Sequence, residues 1–473
     1  MKAKKLICTI ISAILMLTML VTGCSPAGME DEGGGDKIRL KISVFQAGEG
    51  IAWLESIAAE YEKENPNVKV VFKGDAGMEG QAQNIIGSDN VGAMSDIYSC
   101  INDDNFFTNI NNGRLEPLNS VFEMSIGDGK IVKDVMLDDV IEANQVNGTY
   151  YAMPWHRQAL GIIYNKGMFE EKGWKVPTTF KEYYELCDTI CATTNIAPFS
   201  YCGGVTDGYM QEFLLNLMFQ YGGKSAMKEF YAAESADVYL QEGRVKAYET
   251  IGRMIAGEYD DGKGNKESWV LDGSSGFDHL EVQREFIKGN CAMMLGGSWF
   301  PIEMKTYLER YPNFKAEMMH TPWINENKTS LDGGTQNANI TTPTRFVVPK
   351  LAKNKEIAKD FLRFINTKEM RQLFIESLNG TPRPTKYDDI NLDECKLDDF
   401  GKSVVRIVEN DFFYNGVGQN SMFINSTLKN TFTYGELCKT FNKTLLTENQ
   451  IISRAQSLAK GDYEIALQKF SIQ

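Results

Sequence analysis

Histidine is scarce in this chain. His156, His279 and His320 are the only three among 473 residues, and they lie far apart in sequence. A zinc site, which draws clustered imidazoles and thiolates to one ion, is not expected. Cysteine is commoner, nine in all, yet no Cys-x-x-Cys pair occurs. After Cys24 there remain Cys100, Cys187, Cys191, Cys202, Cys291, Cys395 and Cys438, an odd number. Cys187 and Cys191 are four apart within a helical pattern, a poor distance for a disulfide. Buried thiols are the expectation. Positive charge is also in deficit. The formal net charge is −14, and it grows more negative without the lysines of the first five residues. Such a surface repels phosphate backbones and anionic lipid, which argues against nucleic acid as a partner.

Motifs of catalysis are missing too. Gly222-Gly223-Lys224-Ser225 resembles the end of a phosphate loop, but Met218 stands where glycine is needed. Gly296-Gly297-Ser298-Trp299-Phe300 resembles a nucleophile elbow, with Phe300 in place of its last glycine. Asp260-Asp261-Gly262 does not keep the spacing of a calcium loop. Carboxylates are plentiful, and nothing singles out two of them as a glycosidase pair. A secreted glycoside hydrolase stays open as an alternative. No enzyme, no metal and no cofactor is the expectation.

What is present begins at the amino terminus. Lys2, Lys4 and Lys5 precede an uncharged run of apolar and small residues, 6–21. That run is shorter than the roughly 20 residues of a spanning helix. A basic start, a short apolar run and small residues at its end mark an export signal. Val21-Thr22-Gly23-Cys24 resembles the lipobox of bacterial lipoproteins. The resemblance implies a signal peptide over 1–23 and diacylglyceryl on the thiol of Cys24. A thiolate suits thioether formation, and two acyl chains hold where one holds marginally. Residues 24–36, acidic and glycine-rich, read as a flexible tether.

Strand and helix patterns then alternate from the first folded residue. Ile38, Leu40, Ile42 and Val44 fall on one face of a strand. Ile51, Leu54, Ile57, Ala58 and Tyr61 have helical spacing, stopped by Asn65-Pro66-Asn67. Strands follow at 68–72, 95–100, 161–165, 291–295 and 345–348. Helices follow at 81–86, 179–191, 209–221, 245–255, 279–288, 357–365 and 370–378. A helical tail is expected over 433–470. Alternation of this kind argues for α/β architecture with mainly parallel sheets.

Several stretches, in order, resemble the family 1 extracellular solute-binding proteins of bacterial importers, which bind mostly sugars. They are Glu60-Tyr61-Glu62-Lys63-Glu64-Asn65-Pro66-Asn67-Val68, Ser95-Asp96-Ile97, Gly113-Arg114-Leu115-Glu116-Pro117-Leu118 and Asn147-Gly148-Thr149-Tyr150-Tyr151-Ala152-Met153-Pro154. Ile163-Tyr164-Asn165-Lys166, Lys288-Gly289-Asn290-Cys291-Ala292-Met293 and Gly297-Ser298-Trp299 complete the set. Ser95 replaces the family's usual proline. The resemblance spans about 37–470. It implies a two-lobe periplasmic-binding-protein-like fold of type II, with three hinge crossings near Pro154, Gly333-Gly334 and Thr381-Pro382. The lobes would be 37–154 plus 334–382 and 155–333 plus 383–473. It further implies hinged capture of a carbohydrate, a di- or oligosaccharide, for an ABC permease. The body would be a monomer, lipid-anchored on the extracytoplasmic face of the cell membrane. A sensing or adhesion lipoprotein of the same fold, without a permease, is the other alternative.

In parallel sheets, ligands lie beyond the carboxyl ends of strands. That rule selects Gln46 and Glu49 after the first strand, and Asn102 and Asp103 after the strand at 95–100. It selects Trp155, His156 and Arg157 after the first crossing, and Trp299 after the strand at 291–295. Trp323 and Arg383 follow Pro322 and Pro382. Flat aromatics suit the C–H faces of sugars, and amides or carboxylates suit their hydroxyls. Core packing, caps and surface salt bridges are the alternative roles for each. Arg157 and Arg383 also raise an acidic sugar as ligand, since arginine pairs well with carboxylate.

Overall fold

The computed structural model describes residues 37–46, 48–100, 103–204, 208–232, 235–341 and 344–412, with a few residues near 450. The expected signal peptide, Cys24, the tether, Asn102 and the tail helix lie outside the described residues, as does the side chain of Asp103.

Two mixed sheets organise the fold. The first uses β1 (Ile38–Phe45), β2 (Val68–Asp75), β3 (Ile97–Cys100), β4 (Met153–Pro154) and β9 (Arg345–Val347), in the order β2-β1-β3-β9-β4. The second uses β5 (Leu160–Asn165), β6 (Ala197–Ser200), β7 (Cys291–Gly297) and β8 (Ala316–Met318), in the order β6-β7-β5-β8. Ile42 lies opposite Ile97 in a parallel pair, as do Phe199 and Met293. The expectation of mainly parallel sheets needs correction. β9 runs antiparallel to both β3 and β4, and β5 runs antiparallel to both β7 and β8. A chain that crosses between lobes enters the next sheet from its cleft end. It therefore runs against strands that arrive from the far end.

Apolar spacing explains the helices around these sheets. In α1 (Ala52–Glu64), Trp53, Leu54, Ile57, Ala58 and Tyr61 are buried, one face of a 3.6-residue period. That face packs with α6 (Lys355–Phe364) and α7 (Lys368–Ser377), where Phe361 and Phe374 are fully buried. In the second lobe, α2 (Phe180–Thr193), α3 (Gly208–Ala232) and α4 (Glu242–Ala256) cover one face of the sheet, and α5 (His279–Lys288) and α8 (Asp399–Asn410) the other. Ile162 belongs to the first of these clusters and Ile163 to the second. A strand buried on both faces reads as a continuous apolar run, as Leu160–Asn165 does. α3 is broken at Gly223, whose φ of 68° no helix contains. Cys187, Cys191, Cys291 and Cys395 are buried free thiols, and Cys202 is buried as well. Among the described residues no helix is long and apolar enough to cross a membrane.

The chain passes between the lobes three times. The first passage runs from Pro154 to Leu160. The second comes later than Gly333-Gly334, because Asn339 still bonds Leu160 and Ile340 bonds Asn216 of the second lobe. Gly333 and Gly334 instead close a tight turn, in which Ser330 N–H donates to Gly334 O at 2.7 Å. The third passage is also late. Lys386 N–H donates to Val135 O, and Asp389 bonds Arg371 and Lys130, all on the first lobe. Only with α8, packed along β8, is the chain in the second lobe.

Candidate functional site

Loops from the carboxyl ends of β1 and β7 meet between the sheets. A Cβ added to Gly48 would lie 2.8 Å from Trp299 Cδ1 and 3.0 Å from Glu303 Oε1. Real Cβ atoms do not come so close, so only glycine lets this loop approach the opposite lobe. The next residue, Glu49, accepts a hydrogen bond from Gln158 Nε2 at 2.9 Å and lies 3.3 Å from His156 Nε2.

Trp299 is held from behind. Ser298 N–H donates to Ala159 O at 2.8 Å, and Ala159 N–H donates to the Ser298 hydroxyl at 3.3 Å. A Cβ on Gly297 would stand inside the Trp299 ring, so the indole folds back over its own strand end. The indole N–H donates to the Tyr209 hydroxyl at 3.1 Å. Burial holds that hydroxyl well above the usual phenol range. With the Gly48 loop against it, Trp299 is 7% exposed.

Glu303 closes the helical turn that Trp299 starts, its N–H bonded to Trp299 O at 3.0 Å. Its Oε2 accepts from Gln283 Nε2 at 2.6 Å, and its Oε1 lies 3.6 Å from His279 Nε2. His279 and Gln283 are four apart on α5 and share one face. The helix that sets them is well capped. Asp278 and Glu281 form a capping box, and Gly289 ends it at φ 85°.

The residues expected at a site divide into two sets. Glu49, His156 and Trp299 converge on the meeting point. Trp155 does not offer a face. Its ring is stacked on Trp53 at 4.7 Å and on His156 at 3.8 Å, within the core of the first lobe. His156 also touches the Thr344 hydroxyl. Gln46 is exposed and lies over Gly74. Asp103 opens the helix Asp103–Asn111.

The two arginines turn away from a ligand role. Arg383 donates to Pro154 O at 2.9 Å, Trp155 O at 3.1 Å and Asn366 Oδ1 at 3.0 Å. Arg157 donates to Asp411 O at 2.7 Å. Burial pulls the first down to about 9 and the second to about 10. Chain crossings leave carbonyls without sheet partners, and a planar guanidinium with five donors satisfies several at once. The expectation of an anion clamp is corrected by these bonds.

Trp323 lies elsewhere. It lines a separate cavity of about 400 Å³ with Met319, His320, Thr321, Arg406 and Asp411. Its main chain is bonded to Thr178 and Phe180 across the mouth of α2. Four residues at the meeting point escaped the sequence reading: Gln158, Tyr209, Gln283 and Glu303. Glu303 was within reach of it, since it follows Trp299 by one helical turn. Tyr209 and Gln283 read as ordinary helix positions.

The comparisons with known proteins agree with this architecture. The model of a family described as bacterial extracellular solute-binding protein matches residues 47–372. The chain is 23% identical over 383 residues to the multiple sugar-binding protein of Streptococcus mutans, covering 79% of this chain and 81% of that one. The solved solute receptor AcbH superposes with a TM-score of 0.69 at 15% identity, over 91% of this chain and all of that one. The GacH receptor of Streptomyces glaucescens, solved unliganded and with acarbose, gives 0.65 at 16% identity, over 92% of this chain and 100% of that one. The raffinose complex of RafE gives 0.62 at 19%, over 90% and 99%. The architecture is the two-lobe α/β fold with three crossings, and the chain belongs to the family of bacterial extracellular solute-binding proteins.

Proposed function

We propose that this protein captures a di- or oligosaccharide between its lobes and delivers it to an ABC permease, without turning it over. The reading rests on one observation above others. The Gly48-Glu49 tip of one lobe meets Trp299 and Glu303 of the other. A ligand that separates and then bridges these groups touches both lobes, which is the condition for driving closure. Trp299 would supply the stacking face once the Gly48 loop withdraws, and Glu49, His156 and Glu303 the hydroxyl partners. Sugar binding is named for the Streptococcus mutans relative and for the raffinose and acarbose complexes, which supports the choice of solute.

The lobes are proposed as 37–154 plus about 345–390 and 160–341 plus 399–412. The signal over 1–23, lipid on Cys24 and the tether 24–36 complete the reading. They would hold a monomeric body at the extracytoplasmic face of the membrane, near its permease.

A calorimetric screen against neutral and charged glycans tests the solute. Saturable binding with no product by chromatography is expected. Turnover of a glycan, or silence across all glycans, defeats the reading. Labelling cells with palmitate tests the anchor; label that persists in Cys24→Ala places the lipid elsewhere.

A further inference from the structure

The meeting point is rich in acceptors and poor in cations. Glu303 Oε2 is occupied by Gln283, whereas among the described residues Glu303 Oε1 has only the His279 nitrogen, 3.6 Å away. Oε1 is also the oxygen that faces the Gly48 tip. Gln283 is 4% exposed, and its own Oε1 is buried with no hydrogen-bond partner. Among the described residues, then, Gln283 Oε1 has no donor and Glu303 Oε1 has none within hydrogen-bond distance. Glu49 adds a second carboxylate at the next residue of the tip, with a side chain 9% exposed.

Among the described residues no lysine or arginine pairs with Glu49 or Glu303. Their nearest ring nitrogens belong to His156 and His279 respectively. The nearby guanidiniums are committed: Arg157 and Arg383 to main-chain carbonyls, and Arg345 over the Phe106 ring at 4.5 Å. An ammonium carries three donors and no acceptor, so it fits two empty acceptors beside a carboxylate. A uronate would bring a third carboxylate toward the first two, against like-charge repulsion in a half-dry cleft.

Building on the carbohydrate reading above, we propose that the site selects a saccharide bearing a protonated amine, and that Glu303 with Gln283 receives that amine. Glu49 supplies the supporting field.

The test uses the purified full-length protein in slightly acidic buffer. It is titrated with three trisaccharides: one of glucosamine, one of N-acetylglucosamine and one of galacturonic acid. The glucosamine trimer should bind about tenfold more tightly than its neutral acetylated counterpart, as one charge-assisted hydrogen bond would give. The galacturonate trimer should bind more weakly than both. Glu303→Gln should erase the preference for the amine, and a circular dichroism spectrum matching the parent's shows that the variant folds. Equal or tighter binding of the neutral trimer overturns the inference and leaves sugar capture standing. A preference that survives Glu303→Gln and Gln283→Leu overturns the assignment of the residues. No binding by any glycan, of any charge, removes the carbohydrate reading and this inference with it.

Discussion

Two tryptophans of like chemistry end in opposite situations. Trp155 is stacked with Trp53, His156 and Phe346. Trp299 leans on its own strand and meets a bare glycine of the other lobe. Alanine at the two positions should therefore separate stability from binding. Trp155→Ala removes a packed core ring and should cost about 3–5 kcal/mol in denaturant titration. Trp299→Ala should cost less stability but weaken the glycan found by calorimetry about tenfold or more, through the lost stacking area. Equal losses of stability with unchanged affinity would remove Trp299 from the site. Sequence position could not separate the two, because each follows a strand end. What differs is the partner across the gap, Trp53 for one and Gly48 for the other, and both partners come from a distant part of the chain. The arginines teach the same point. Their charge suggested an anion, while unpaired carbonyls at the crossings, invisible in sequence, claimed their donors.

The β1–α1 loop carries Gly48 up to Trp299 and Glu303 of the other lobe. Gly48→Val would place methyl groups where Trp299 and Glu303 now stand. Overpacking of this kind costs about 1–3 kcal/mol, and here it can be relieved by parting the lobes. Small-angle scattering of the variant without ligand should show a larger radius of gyration than the parent; an unchanged curve would mean that the loop yields instead. A second element prediction concerns the segment before α8. Asp389 is half-covered, and burial alone would raise its carboxyl. Bonds from Arg371 at 2.7 Å and Lys130 at 3.2 Å outweigh that, holding it below the usual carboxylate range. The folded protein thus binds fewer protons than the unfolded chain at acid pH. The stabilisation is complete above the ordinary carboxylate range and is lost as pH falls through the lowered value. Asp389→Asn should cost about 3 kcal/mol at neutral pH, since it strands buried Arg371. It should also flatten the acid limb of melting temperature against pH. An acid limb as steep as the parent's would show that other carboxylates govern it. Elements with strong apolar periods were legible in sequence: α1, α5 and β7 fall within a few residues of expectation. Ala197–Ser200, Ala316–Met318 and α8 were not. The two strands are three or four residues long, too short for a period, and α8 follows a charged stretch that hides its buried face. Gly333-Gly334 read as a hinge because glycine permits many dihedrals, yet a local turn had already used that freedom.

For the whole molecule, the first two passages and the loop after α7 behave as one structure. Arg157 N–H donates to Pro382 O at 2.8 Å, Trp155 N–H to Thr344 O at 3.3 Å, and the Thr341 hydroxyl to Gln158 O at 3.4 Å. Bending is then shared by three bonded segments, and closure should be concerted. Hydrogen exchange with saturating glycan should slow at residues 46–50 and 298–303 together, while the cavity beside Trp323 exchanges as before. Protection at Trp323 without protection at Gly48 would move the binding site to that cavity. Ligand at a hundred times its dissociation constant should add about 2.7 kcal/mol to stability.

Arg383 gives this joint an unexpected property. It reaches from the loop after α7 to the carbonyls of the first passage, and to Asn366 on the loop that joins α6 and α7. Continuity of the backbone is thus not the only thing that keeps the halves of the molecule together. A protease that nicks the exposed turn around Leu331, which is 61% open to solvent, would cut the polypeptide in two on a denaturing gel. The clipped particle should nevertheless elute as one body and melt in one step, its fragments bound as tightly as subunits of an obligate dimer.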